Sequence, residues 1–592
     1  MVSPVVMTST ERIRLLAMVV FAVVVTALFI VFRAAAPGIV ALSFEQAITV
    51  RDFPALEAYS QLNQIAVKPH PFNSTENVRI YHYLLDTLNG YKNSSKADMQ
   101  VLEFDSTLSF PQLLVYFPGT TNATVMVSAH FDSREMSPGA SDDGAGVTVL
   151  LQMVRLFSLE ANKSQNSVLF FFNNGEEKHP VNSTDATVLH SGLAYNPNPE
   201  IIGLEGSARF ILSPKWNNFV KNIKVVVNLE GGGGGGKPIL MRSTTDRLSN
   251  LYTTLPYPHM NSVFNAIIAL LDSRTDYEVY RQSGIPSLDI CYYENRRYYH
   301  TKEDSIDHIS PEDVQYMGSN TLAVVKQLRQ AEWINDLKVD PSPSPFYDHF
   351  GGRSGVVLSP LVRWLVVGVI ILGLLGTVLV NFKQLKIHHK EHTAVRHLWI
   401  HSFYNTSAAV VGFVMASVAV LAPFTSGFFG KNASTVQWTS HHFLYWVHNN
   451  LALSISGLII GSVVSVGFII GNLPMMYLVG AIGVARVLVF SVYGGFHEYL
   501  TPTQNEIVRC AIIVALSVYP TVLLLDIILD IARATLGMVM AVMAPALIAY
   551  TGAIILPIFV GIESMNGRRI LVIGLTIAAI CLSIFSLIRA SV

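Results

Sequence analysis

The distribution of apolar residues divides the chain into three stretches. Residues 15–32 form an uninterrupted apolar run of about 18 residues, near the minimum for a helix that spans a bilayer. The next three hundred or so residues alternate short apolar runs with polar segments. From Val356 onward about seven closely spaced apolar segments are long enough to span. The pattern predicts an N-terminal membrane helix (1–42), a globular domain (43–354) and a C-terminal membrane bundle (355–592).

The residues around the first apolar run predict its orientation. Arg12 and Arg14 precede it, and it is either a cleaved signal sequence or an uncleaved signal anchor. Its length favours the anchor, with a cytosolic N-terminus and an exported domain. Six Asn-x-Ser/Thr sequons, five in the domain and one in a predicted loop of the bundle, fit a glycosylated lumenal face: Asn73, Asn93, Asn122, Asn162, Asn182 and Asn432. A further sequon at Asn405 lies inside a predicted span, so no glycan is expected there.

Four short, β-branched apolar runs within the domain predict strands. They are "ATVMVSAHFD", "NSVLFFFNNGEE", "IKVVVNLEGG" and "IPSLDICYYEN". Amphipathic stretches at 145–159 and 265–272 predict helices between them. This alternation predicts an α/β fold with a mostly parallel sheet flanked by helices. Ligands of such sheets gather at the carboxyl ends of the strands.

Composition supports this division. The 592-residue chain is 51% hydrophobic, with a mean hydropathy of +0.41 and a net charge of −1. These values indicate contact with membrane lipid and give no reason to expect nucleic acid, which would require a basic patch. Cys291 is the only cysteine of the domain. No disulfide can form within it, so its stability must come from packing, with bound metal as a further candidate.

The predicted strand ends bring metal-binding side chains to one edge of the sheet. His130 ends the first run, Glu176 and Glu177 the second and Glu230 the third, while His300 follows the fourth. Imidazole and carboxylate suit zinc where thiolates are lacking, and two metals that share a carboxylate need about five protein ligands.

Each residue has an ordinary alternative. Asp142 or Asp143 serves equally well as a cap for the helix that follows. His130 alone is typical of a hydrogen-bonded core histidine, and Glu176 with Glu177 of a solvated loop pair. The conjunction of ligand-type residues at four strand ends favours the metal site.

The same motifs resemble those of the co-catalytic di-zinc aminopeptidase family. "AHFDS…PGASDDGAG", "NNGEE", "NLEGG" and "YYHTKED" occur in the order that the family shows. With a signal anchor before and a bundle after, the chain resembles the membrane-bound branch of that family, the endoplasmic reticulum metallopeptidases and vacuolar membrane proteases. The resemblance implies a membrane-anchored zinc exopeptidase of the endoplasmic reticulum, vacuole or lysosome, with peptides or proteins as substrates.

The resemblance also implies roles for individual residues. Two zinc ions would be held by His130 with Glu230 and by Glu177 with His300, and Asp142 would bridge them. Asp132 would hold the ring of His130 and fix its tautomer, and Glu176 would be the general base. Asp276 and Tyr299 would line the substrate side.

Two segments depart from the family pattern. The insert Lys178 to Gly203, rich in Pro, Asn and Ser, predicts a long surface loop beside the site. The run Gly231 to Gly236 predicts either a flexible wall that a substrate backbone can approach or a simple low-complexity expansion.

Three functions are therefore considered. The first is a lumenal zinc aminopeptidase. The second is a glutaminyl cyclase-like enzyme, which uses a related ligand set around one zinc. The third is a scaffold or receptor that kept the fold and lost activity. Loss of a ligand or of the base would mark the third, and neither is missing from the sequence.

Overall fold

The structure is a computed structural model. It describes residues 9–34, 38–104, 110–180, 191–198, 201–262, 274–349 and 351–359, a few single positions at 188, 264, 265 and 361, and scattered positions between 501 and 526. The chain divides into two compact units, one of which is Ala35–Ser359. Met1–Ala34 and Pro360–Val592 make up the other.

A seven-stranded sheet runs through the unit Ala35–Ser359, with the strand order β1-β2-β4-β3-β8-β10-β9. The strands are β1 (Gln100–Glu103), β2 (Leu113–Phe117), β3 (Thr124–His130), β4 (Ser167–Asn173), β5 (His179–Pro180), β6 (Tyr195–Asn198), β7 (Ile201–Gly203), β8 (Ile223–Gly231), β9 (Ile239–Ser243), β10 (Ser287–Tyr292), β11 (Phe346–His349) and β12 (Ser354–Val357). The four strands predicted from the sequence are β3, β4, β8 and β10, and they are parallel neighbours at the centre of the sheet.

Helices cover both faces of this sheet. They span Phe44–Val50, Ala55–Ile65, Thr75–Asn93, Ala145–Ser158, Glu205–Leu212, Asn217–Val220, Asp246–Tyr252, Asp276–Gln282 and Pro311–Leu328. Successive strand side chains alternate between the two cores. Val125 and Val127 join the core that includes residues of Ala145–Ser158 and Pro311–Leu328. Met126 joins the core on the opposite face. The predicted helix at 145–159 is confirmed, and the one at 265–272 lies almost entirely outside the described residues.

The sheet is mixed, which corrects the prediction of a mostly parallel one. The pairs β1/β2, β2/β4 and β9/β10 are antiparallel. Parallel neighbours need a crossover of about a dozen residues or more, usually a helix. The segments that lead into β2 and β9 are shorter than that, so those strands reverse direction. The sequence pattern identified the central strands, because burial on both faces makes them continuously apolar.

The insert has more structure than the predicted surface loop. Strands β5, β6 and β7 form a three-stranded antiparallel sheet within it. Ile202 and Leu204 are buried and pack with Ala208 and Val279, which lie on two helices of the unit. The Leu204 amide donates to the Glu176 carbonyl oxygen at 2.7 Å. Because a few apolar residues have a helix surface to pack against, the described part of the insert folds despite its loop-like composition.

The helix Ser9–Ala34 contains the apolar run predicted as a signal anchor. None of the helices among the described residues meets the length and hydropathy required to cross a membrane. The spans predicted between 358 and 588 fall largely outside the described part of the chain. The anchor and the bundle therefore stay predictions.

Candidate metal centre

The four predicted strand ends converge at one edge of the sheet. His130 is the last residue of β3, and Glu230 lies near the end of β8. Glu177 follows β4 by four residues, and His300 lies beyond the end of β10. Asp142 lies in the turn Ala140–Gly144 that leads into the helix Ala145–Ser158. The structure brings these five side chains together in two groups that share Asp142.

The first group consists of His130, Asp142 and Glu230. The Nε2 atom of His130 is 3.2 Å from Asp142 Oδ1 and 3.3 Å from Glu230 Oε1. All three residues are buried. Because the Nδ1 atom of His130 lies 2.9 Å from the carbonyl oxygen of Asp132, which can only accept, Nδ1 carries the proton. Nε2 then presents its lone pair to the carboxylates.

The second group consists of Asp142, Glu177 and His300. The Nε2 atom of His300 is 3.2 Å from Asp142 Oδ2 and 3.0 Å from Glu177 Oε1. His300 is the most exposed member, with 32% of its side chain accessible. The two oxygens of Asp142 therefore face different imidazoles, as a bridging carboxylate requires.

Asp132 organises the loop that carries Glu176 and Glu177. Its carboxylate accepts three backbone amides, from Gly175 at 2.9 Å, Glu176 at 3.3 Å and Glu177 at 3.0 Å. The same carboxylate is 3.5 Å from His130 Nδ1, farther than the Asp132 carbonyl oxygen. The predicted contact with the His130 ring is therefore made mainly through the backbone of Asp132, and its side chain holds the neighbouring loop.

The carboxylates of the site raise one another's pKa. Burial, with the nearby charge of Asp142, raises the pKa of Glu230 to about 8, against the opposing effect of His130. Burial also raises the pKa of Glu177. Burial raises the pKa of Glu176 well above its ordinary value, and the nearby charges of Glu230 and Glu177 raise it further. Such a concentration of buried carboxylates is unfavourable without cations to neutralise it.

The donor set fits zinc. With metal–ligand bonds of about 2.0 to 2.1 Å, two ligand atoms of a tetrahedral zinc site lie about 3.3 Å apart. The four imidazole–carboxylate separations are 3.0 to 3.3 Å. In addition, Glu230 Oε2 is buried and has no hydrogen-bond donor among the described residues. The spacing and this unsatisfied oxygen match what two divalent cations would require.

The sequence left open whether Asp142 or Asp143 caps the following helix or faces the metal site, and the structure gives the two residues different roles. Asp143 Oδ1 accepts the Gly146 amide at 3.2 Å, within the first turn of the helix. Asp143 therefore takes the capping role. Asp142 faces the two imidazoles instead.

The predicted substrate residues lie beside the groups. Asp276 begins the helix Asp276–Gln282, is buried, and accepts a hydrogen bond from the side-chain amide of Asn173. Burial raises its pKa to about 6. The ring of Tyr299 stacks on that of His300, with centroids 3.6 Å apart. Arg296 lies over the Tyr299 ring at 4.4 Å.

The glycine run is closely packed, so the prediction of a flexible wall is wrong for it. A Cβ atom on Gly231 would collide with the backbone of Ser141 and Asp142, and one on Gly233 with the backbone of Glu294. Residues 231–235 are buried. The absence of side chains lets the backbone of this run pack closely against neighbouring backbone. Gly231 in particular packs against the turn that holds Asp142.

Two residues without an assigned role lie against the proposed ligands. The Arg134 Nε atom is 3.6 Å from Glu177 Oε2. Asp304, inside the "YYHTKED" motif, is buried and accepts hydrogen bonds from the turn that carries Asp142. The sequence does not distinguish Asp304 from its neighbour Glu303, which is partly exposed in the structure. The contact of Asp304 depends on where the turn lies in space.

Residues 113–325 match the sequence profile of peptidase family M28. The predicted resemblance of the chain to membrane-bound di-zinc aminopeptidase-like metallopeptidases is therefore confirmed.

Among curated proteins, the chain is similar to vacuolar membrane proteases. That of Yarrowia lipolytica is 28% identical over 389 residues, which cover 60% of this chain and 36% of the relative. That of Candida albicans is 30% identical over 277 residues, which cover 45% of this chain and 30% of the relative. The chain thus spans about a third of the length of these relatives. A solved Zn-dependent exopeptidase from Parabacteroides distasonis is 21% identical, covering 46% of this chain and 98% of its own, with a TM-score of 0.34.

Proposed function

We propose that the unit Ala35–Ser359 is a zinc-dependent exopeptidase, of aminopeptidase type, with two co-catalytic zinc ions. The observation that carries this proposal is the sharing of Asp142 between two imidazole–carboxylate groups. His130, Asp142 and Glu230 would hold one ion, and Asp142, Glu177 and His300 the other. Bound zinc polarises the scissile carbonyl and lowers the pKa of water.

Glu176 would be the general base. It lies next to Glu177 but belongs to neither group found among the described residues. Burial, together with Glu230 and Glu177, raises the pKa of Glu176 well above its ordinary value. This shift moves its carboxylate toward the basicity that proton transfer near neutral pH requires. A Glu176 oxygen would take a proton from the attacking water and return it to the leaving nitrogen.

Two buried carboxylates outside the two metal groups support the aminopeptidase assignment. Asp276 and Glu176 are both buried, and the charge of Asp276 is one of the causes that raise the pKa of Glu176. A protonated substrate N-terminus would compensate these charges. The ring of Tyr299, held between His300 and Arg296, would line the substrate side with them.

We place the protein, as part of the same proposal, in the vacuolar membrane with its peptidase unit in the lumen. The proteins that it resembles are vacuolar membrane proteases. The four sequon asparagines with described environments, Asn73, Asn93, Asn122 and Asn162, are all exposed. Exposure is what attachment of a glycan requires.

Substitution of the neighbouring glutamates tests the assignment. Glu176→Gln keeps the size of the side chain but cannot accept a proton, so zinc should stay bound while turnover falls about 10²- to 10⁴-fold. Glu177→Gln should instead lose zinc, because an amide is a poor replacement for a ligating carboxylate. Zinc content by elemental analysis and turnover of peptide substrates would be measured on the purified full-length chain.

The outcomes separate the three functions. Near-normal hydrolysis by Glu176→Gln would refute its role as the base. One tightly bound zinc, with cyclisation of N-terminal glutamine, would indicate the cyclase. If the folded wild-type chain bound no stoichiometric zinc, the scaffold or receptor would be the remaining function.

A further inference from the structure

Several backbone amides of the turn that carries Asp142 bond to one residue outside it, Asp304. Three consecutive amides of the turn, those of Ala140, Ser141 and Asp142, all donate to Asp304. The Ser141 and Asp142 amides bond its two carboxylate oxygens at 2.8 and 3.3 Å. The Ala140 amide bonds its carbonyl oxygen at 3.1 Å. Within the local segment, the Gly144 amide donates to the Gly139 carbonyl at 3.0 Å, and the Ala145 amide donates to the Ala140 carbonyl.

Two hydroxyl groups complete the surroundings of the Asp304 carboxylate. Ser141 Oγ is 2.7 Å from Oδ1, and Ser137 Oγ is 3.2 Å from Oδ2. The carboxylate is buried, with 1% of the residue exposed. Three donors from the segment 137–142, the Ser141 and Asp142 amides and the Ser137 hydroxyl, thus converge on one side chain, and the Ser141 hydroxyl lies between it and the Gly233 carbonyl oxygen. Several hydrogen bonds to this one buried side chain therefore hold the segment in place.

Asp304 also lies in the short segment that carries His300. The Asp304 amide donates to the Thr301 carbonyl at 3.1 Å, which closes a turn directly after His300. One residue therefore joins the segment of Asp142 to the segment of His300. The Nε2 atom of His300 and Asp142 Oδ2 are held 3.2 Å apart across this connection.

We propose that Asp304 is a positioning residue that sets the affinity of the Asp142–Glu177–His300 group for its metal ion. This inference rests on the proposed function. The other group, His130–Asp142–Glu230, takes two of its ligands from β3 and β8, which are paired strands of the sheet. Loss of Asp304 loosens Asp142 and His300 together, so the group that contains both loses more affinity.

The test uses the purified full-length chain, freed of zinc by a chelator and titrated with Zn²⁺ in competition with a chromogenic chelator. Asp304→Asn keeps the shape of the side chain but replaces one acceptor oxygen with a donor that faces an amide or a hydroxyl. Removing an outer partner of a ligand typically costs 10- to 100-fold in metal affinity. We expect one of the two zinc ions to bind at least about 10-fold more weakly, and the other within about threefold of wild type.

A matched control separates positioning from simple folding. The Asp246 carboxylate likewise accepts hydrogen bonds from a serine, from the Ser344 amide at 2.5 Å and the Ser344 hydroxyl at 2.7 Å. Asp246 belongs to neither metal group. Asp246→Asn should lower the melting temperature of the metal-free chain about as much as Asp304→Asn does, with both zinc affinities unchanged. Saturating zinc should restore turnover to Asp304→Asn, which it would not do for a merely misfolded variant.

The alternatives have distinct signatures. Wild-type affinity for both ions in a folded Asp304→Asn variant would overturn the positioning role. If that variant fails to fold, Ser141→Ala removes only the hydroxyl that contacts Asp304 and the Gly233 carbonyl oxygen. It should weaken the same ion measurably, though less than the loss of Asp304 would, while unchanged binding would again overturn the role. A wild-type chain that binds no zinc would refute the proposed function itself.

Discussion

At the scale of single residues, adjacent side chains of the same type have different tasks. Asp142 faces both imidazoles, whereas Asp143 accepts an amide of the following helix. Glu177 lies 3.0 Å from His300 Nε2, whereas Glu176 belongs to neither metal group of the described residues. The direction of each side chain depends on the backbone of its turn, which the residue type does not reveal.

Gly231 offers a direct test of how closely the Asp142 turn is packed. Gly231→Ala would push a methyl group into the backbone of Ser141 and Asp142. Overpacking of this kind typically costs about 1–3 kcal/mol of unfolding free energy, and the displaced Asp142 should bind zinc more weakly. Urea unfolding and zinc titration would measure both effects.

Gly90 provides the control for this substitution. It lies in the helix Thr75–Asn93, and an added Cβ would meet nothing within 4 Å. Gly90→Ala should therefore stabilise the chain by about 0.5–1 kcal/mol without affecting zinc. If Gly231→Ala behaved like Gly90→Ala, the turn would be looser than the structure indicates.

His70 predicts how stability depends on pH. Its side chain is fully buried, its Nδ1 atom donates to the Lys68 carbonyl at 2.8 Å, and burial lowers its pKa from 6.5 to about 4. Between these values the unfolded chain binds a proton that the folded chain does not, so stability falls as the pH falls from 6.5 to 4. The loss amounts to about 3 kcal/mol.

Pulse proteolysis of the full-length chain between pH 4 and 7.5 would measure this loss. His70→Gln should be less stable at neutral pH but should lack this part of the pH dependence. An unchanged slope in His70→Gln would show that other groups cause the acid sensitivity.

At the scale of elements, a buried ion pair joins the antiparallel edge of the sheet to its parallel centre. Arg242 on β9 lies opposite Asp289 on β10, and its Nη2 atom is 2.6 Å from Asp289 Oδ2. The guanidinium also donates to Thr275 Oγ1 at 2.6 Å, directly before the helix that begins at Asp276. The pair therefore connects two strands with the predicted substrate side of the site.

Breaking this pair should be costly, because Arg242→Met leaves the Asp289 carboxylate buried without its counter-charge. We expect a loss of about 3–5 kcal/mol in unfolding free energy, and substantial recovery in the double variant Arg242→Met/Asp289→Leu. Denaturant unfolding of the three proteins would measure both. A single variant that lost less than about 1 kcal/mol would show that the pair is effectively solvated.

At the scale of the whole molecule, the orientation in the membrane is the main prediction. If the peptidase unit is lumenal, Asn73, Asn93, Asn122 and Asn162 should carry glycans, because all four are exposed. Each Asn→Gln substitution should then remove one glycan and increase the electrophoretic mobility of the chain accordingly. Asn182 and Asn432 lie outside the described residues and are expected to behave alike.

Protease protection of sealed vesicles provides the complementary measurement. The loop Lys383–His397 should be cleaved from the cytosolic side, and the unit Ala35–Ser359 should be protected. Cleavage of the unit in intact vesicles, without any glycan, would contradict the signal anchor at residues 15–32.

The sequence alone determined the parts of this protein that depend on local pattern. Strands β3, β4, β8 and β10 were predicted because burial on both faces makes their apolar runs continuous, and the five clustered residues because each follows such a run or lies in the turn before a helix. The tertiary structure decided the mixed sheet, the small sheet of the insert, the packing of the glycine run and the contact of Asp304 with the Asp142 turn. These features arise between segments far apart in the chain, such as Ser141 and Asp304, whose proximity depends on the folded arrangement of the strands and is not expressed in the periodicity of either segment.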